Sequence, residues 1–133
     1  MNFDVSYGIT KRLTNVTLVQ ARERVATALQ QQGFGVLTEI DVQATLKKKL
    51  GVETAPYVIL GACNPTLAHQ ALQKEPAIGL LLPCNVVLAE DAGDVVVSAA
   101  SPRSMFSLVE AGSDVANVAT EAEKRLRAAL DNV

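Results

Sequence analysis

The sequence predicts a single α+β domain over residues 1–133, with helices packed on one face of a largely antiparallel sheet. Three observations carry that expectation. Segments with strand pattern alternate with segments of helical period, in the order β-α-β-α-β-α-β-β-α-α. The turn Asp91-Ala92-Gly93-Asp94 joins two apolar runs as a hairpin, which makes that pair antiparallel. A chain of 133 residues, 49% hydrophobic and 20% charged, buries about two-thirds of its unfolded surface and needs no disulfide or metal to fold.

Asn2 to Ile9 sets Phe3, Val5, Tyr7 and Ile9 against Asn2, Asp4, Ser6 and Gly8, the period of a half-buried strand. Lys11 to Asn15 reads as a polar connection. Thr17 to Gln32 has helical period, with Leu18, Ala21, Val25, Ala28 and Leu29 on one face. Thr17 and Gln20 form a capping box, and Gly33 supplies the stop. Phe34 to Asp41 reads as a strand with Phe34, Val36 and Ile40 pointing inward. Val42 to Leu50 is a short helix ending at Gly51, with Lys47, Lys48 and Lys49 at the negative end of its dipole.

Pro56 opens the apolar run Tyr57 to Cys63, a buried strand by length and flanks. Asn64-Pro65 is the sharpest local signal, because Asn caps helices well and Pro suits the first turn, where an N–H has no partner. The helix it starts runs to about Lys74 and buries Leu67 or Ala68, Ala71 and Leu72. Pro83-Cys84 interrupts the apolar stretch from Ile78, and Asn85 to Glu90 continues as a strand whose Pro implies an edge or a bulge. Val95 to Ala99 is the return strand, and Ser101-Pro102 caps a short helix to about Val109. The last helix starts at Ser113 or Asp114. It carries the stripe Val115, Val118, Ala119, Ala122, Leu126, Ala129 and Leu130, with Glu121, Glu123, Lys124, Arg125 and Arg127 solvated.

Charge and motif content exclude several function classes. Twelve Lys and Arg against 14 Asp and Glu give a net charge of -2, which lacks the basic excess of a nonspecific nucleic-acid binder. The first residues lack a basic stretch followed by an apolar one, and the apolar stretch Ala77 to Ala89 is broken by Pro83 and Asn85 and too short for a bilayer. The expectation is a cytoplasmic protein, without membrane or nucleic-acid partners, whose two cysteines are thiols. The sequence contains no phosphate-binding glycine loop, nucleophile elbow, zinc-protease helix or C-x-x-C pair.

Chemistry is therefore left to Cys63-Asn64-Pro65, to Pro83-Cys84 and to His69. Cys63 precedes a helix N-terminus, where the dipole and unpaired N–H groups favour a thiolate. Cys84 follows a proline that disrupts its strand. Each cysteine has a structural alternative as a small buried apolar side chain. If the sulfurs meet, they make a redox couple or a clip for a soft metal such as copper(I) or zinc, with His69 as a third ligand. His69 has its own alternative as a boundary or solvated residue, and three ligands are fewer than zinc usually takes. Lys47 to Lys49 as an anion site, and Glu90, Asp91 and Asp94 as a cation site, compete with a dipole-matched helix end and an ordinary polar turn.

The segments from Tyr57 through Cys63-Asn64-Pro65 and from Leu81 through Pro83-Cys84 to Val87, preceded by Lys49-Leu50-Gly51, resemble the family catalogued as domain of unknown function 302. The resemblance runs from the first strand to the last helix. It implies a TATA-box-binding-protein-like α+β architecture, often a homodimer, and raises Cys63, Asn64, Pro65, Pro83 and Cys84 as a site. The family has no established activity, and the fold label brings no DNA binding with it.

Three functional readings follow. The first is a non-enzymatic homodimeric module holding a small ligand or soft metal near Cys63 and Cys84. In the second, a thiol enzyme or redox protein, Cys63 is the reactive thiolate and Cys84 its resolving partner. The third is a structural or protein-interaction domain with both cysteines in the core and the unalternated Val95-Val96-Val97 covered by a partner or by helices.

Overall fold

Five antiparallel strands form one sheet in the order β1-β5-β4-β3-β2 in the computed structural model, which describes residues 1–109 and 114–133. The elements are β1 (Gly8–Leu13), α1 (Leu18–Gln31), β2 (Gly35–Asp41), α2 (Val42–Leu50), β3 (Tyr57–Cys63), α3 (Pro65–Lys74), a 3-10 helix (Pro76–Leu81), β4 (Cys84–Asp91), β5 (Asp94–Ala100), α4 (Pro102–Phe106) and α5 (Ala116–Asp131). The order is the expected one with the 3-10 helix added. Of the two proposed starts of the last helix, Ser113 lies outside the described residues and Asp114 lies in a turn ahead of α5.

One sheet face carries the main core. Ala21, Val25, Ala28 and Leu29 of α1 and Leu126, Ala129 and Leu130 of α5 pack on Leu60, Ala62, Val86, Leu88, Val95 and Val97. A second cluster joins Leu67 and Ala71 of α3, Ile78 and Phe106 to Val118, Ala119 and Ala122 of α5. Alternation places Thr10, Tyr57, Ile59, Val87, Val96 and Ser98 on the other face, where the segment ahead of β1 crosses the sheet. Val96 is 2% exposed within the single chain, so the valine run needs no partner to be covered.

Several expectations change. The first strand begins at Gly8, not Asn2, and runs through Lys11 to Leu13, paired with Ala100 to Val95. Lys11 points inward between Ile9 and Leu13, and its Nζ donates to the Leu130 and Val133 carbonyls at 3.1 and 3.0 Å, closing the C-terminus of α5. Ile40 is exposed because a bulge between Val36 and Thr38 shifts the register and turns it to the other face, opposite Ile59. Leu72 is exposed on α3, and α4 stops at Phe106 instead of Val109.

Pro83 implies no edge: β4 is the central strand, and the proline stands just ahead of its first residue, after a cis Leu82–Pro83 bond. Glu123 is buried rather than solvated. It accepts from the Ser101 hydroxyl and, at 3.2 Å, from the Arg103 amide, holding the start of α4 to α5. No helix among the described residues is long and apolar enough to cross a membrane.

Candidate functional site

The site forms where β3 ends, α3 begins and β4 enters the sheet. Asn64 leaves β3 in extended conformation and caps α3, its Oδ1 accepting from the Leu67 amide at 3.1 Å, with Pro65 in the first turn. The Asn64 Nδ2 donates to the Gln32 carbonyl at 3.5 Å, which ties the start of α3 to the end of α1. Gly33 permits that approach. Its φ is +83°, and a Cβ there would stand 2.9 Å from Asn64 Nδ2.

Cys84 is the first residue of β4 and faces Ala62, so Cys63 is one position past its partner. Cys63, Asn64, Pro83 and Cys84 line one cavity of about 30 Å³, completed by apolar side chains including Phe34, Leu67 and Phe106. Both cysteines are half-buried free thiols. Burial pushes the Cys84 thiol up to about 11, and the charge of the neighbouring Cys63 adds to the rise. Cys84 therefore keeps its proton at neutral pH. Gly61 makes room for Pro83, since a Cβ there would meet the proline Cγ at 2.9 Å and the Thr38 hydroxyl closer still.

The structure thus gathers four of the sequence-predicted residues and leaves two outside. Pro65 is exposed and shapes the helix start without lining the cavity. His69 is exposed and off the cavity, and no group of three or more His, Cys, Asp or Glu side chains gathers for a metal among the described residues. The third-ligand role is corrected accordingly, because one helical turn beyond Pro65 carries the side chain outward. The turn carboxylates are also engaged, with Asp91 and Asp94 bound by Arg12 at 2.8 and 3.2 Å. Lys47 pairs with Glu53 on the surface. Sequence reasoning missed Phe34 and Phe106 as cavity walls, and Gly61 as the gap that admits Pro83. A glycine inside an apolar strand was the available signal for the last.

The comparisons agree with this architecture. Residues 9–133 match the family model described as Domain of unknown function DUF302. A crystal structure of a conserved DUF302 protein from Bacillus stearothermophilus is similar at 29% identity and a TM-score of 0.88, over 96% of this chain and 98% of that one. No curated protein matches significantly. With the family model covering all but the first eight residues, the chain belongs to the DUF302 family.

Proposed function

We propose that this protein is a non-enzymatic binding module that holds a soft metal ion, copper(I), between Cys63 and Cys84. The observation that carries the reading is that Cys63 and Cys84 border one small cavity whose other walls, apart from Asn64, are apolar. Size favours a metal over an organic ligand there. A space of about 30 Å³ is of water size and takes an ion, whereas small-molecule pockets run to roughly 300 Å³ or more. Ligand number favours copper(I) over zinc. Zinc prefers four ligands, and His69 is turned away. Two thiolates suit a soft monovalent cation. Binding displaces the Cys84 proton, so affinity rises with pH.

The same reading makes the protein a cytoplasmic homodimer. Reducing surroundings keep both thiols free. Leu80 and Leu108, both largely exposed, border one groove with Ala77 and Val109 and offer apolar surface for self-association. Anaerobic native mass spectrometry with buffered copper(I) tests both parts. The expected result is a dimer carrying one copper per chain, lost in Cys63→Ala and in Cys84→Ala. Equal copper content in the double variant overturns the site, and a monomer overturns the assembly.

A further inference from the structure

We propose that the cavity between the N-terminal segment and the sheet face opposite α1 and α5 binds a small, neutral, planar aromatic molecule that carries an N–H or O–H donor. This site is separate from the thiols. It measures about 240 Å³, several times the thiol cavity and close to the lower end of small-molecule pockets.

Its lining is unusual for this chain. Of three phenylalanines and two tyrosines in the sequence, Phe3, Tyr7 and Tyr57 all border this one space. Aromatic rings favour flat aromatic partners through stacked and edge-to-face contacts. No charged side chain lines the cavity, so a charged ligand would lose its hydration without compensation. The segment above it is fixed at three points. The Phe3 carbonyl accepts from Thr10 Oγ1 at 3.0 Å, the Ser6 carbonyl from Ser104 Oγ at 3.0 Å, and the Tyr7 carbonyl from the Ser101 amide at 2.8 Å.

The same hydrogen bonds set the polarity of the ligand. Thr10 has one hydroxyl proton and gives it to the Phe3 carbonyl. Ser98 Oγ, 2.7 Å from Thr10 Oγ1, is then the donor of that pair. Its own proton is committed, so it meets the cavity only with lone pairs. A buried hydroxyl with free acceptor capacity selects a ligand that donates.

Titration of the full chain with indole, followed by amide proton–nitrogen correlation spectra, tests the site. Shifts are expected at Phe3, Tyr7, Tyr57 and Ser98. Binding should be about tenfold tighter than for 1-methylindole, which has the shape without the donor. Ser98→Ala is expected to erase that preference, and Val87→Phe, which fills the cavity, to abolish binding of both probes. Absent shifts, shifts scattered away from this face, or equal affinity for the two probes overturn the proposal. A solution dimer in which a second copy covers Phe3 and Tyr57 overturns it too.

Discussion

Asn64 serves two helices with one side chain, its oxygen capping α3 and its nitrogen donating to the Gln32 carbonyl just past α1. Asn64→Ala removes both at a buried position and should cost about 1–2 kcal/mol, read as a lower midpoint in urea at constant slope. An unchanged midpoint would mean that α3 is held by packing alone. Glu123 makes a second residue-scale prediction. Burial acts to raise its carboxyl, but the Ser101 hydroxyl, the Arg103 amide and the Arg127 guanidinium together bring it below its ordinary value. A depressed folded-state value contributes stability that is complete above the unfolded value of about 4.3 and is lost as pH falls through the lower folded one. Glu123→Gln should therefore flatten the acid limb of the stability–pH curve while lowering stability at neutral pH. Glu123 was unreadable from its helix because a charged residue on the edge of an apolar stripe normally points to water. Its partner Ser101 lies 22 positions away. Cys63, Asn64 and Cys84, by contrast, carry their signals locally, in a strand end, a cap and a proline.

At the scale of elements, the β4–β5 hairpin places Ala92 at φ 51° and Gly93 at φ 84°, both in the left-handed region that a two-residue turn requires. Glycine accepts that conformation freely, whereas Ala92 holds it at the cost of crowding its Cβ. Ala92→Asn, which creates the favoured Asn-Gly pair, should stabilise the protein by about 0.5–1 kcal/mol in urea unfolding. No gain would show that the rest of the sheet sets the turn. The elements misread from sequence share a cause. Alternation alone cannot tell a strand from an extended segment laid across a sheet, so the stretch from Asn2 looked like β1. Lys11 looked like a loop residue because its partners are the carbonyls at the far end of the chain. The bulge at Leu37 is likewise invisible until β3 fixes the register. Helices with a capping box or an Asn-Pro start were legible almost to the residue, since their signals lie within one turn.

For the molecule as a whole, the proposed copper site would link metal binding to folding, because Cys63 and Cys84 lie 21 positions apart and border one cavity only when α3, the 3-10 helix and the sheet are assembled. A ligand that binds only the folded chain stabilises it by about 2.7 kcal/mol at a free concentration one hundred times its Kd. For a domain of this size that raises the Tm by about 10 °C. Copper(I) buffered at that level should produce such a shift in the wild-type protein under anaerobic conditions, and a smaller one where the unfolded thiols also bind. Acid should reduce the shift, since protons compete with the metal for Cys84, its thiol being pushed up to about 11. Cys84→Ala should remove most of the shift without a matching loss of Tm in metal-free protein, because a small apolar side chain suits a position packed against the core. His69→Ala should leave the shift intact, since that side chain is exposed and away from the cavity. An equal shift in Cys63→Ala/Cys84→Ala would place copper elsewhere on the molecule and overturn the thiol site.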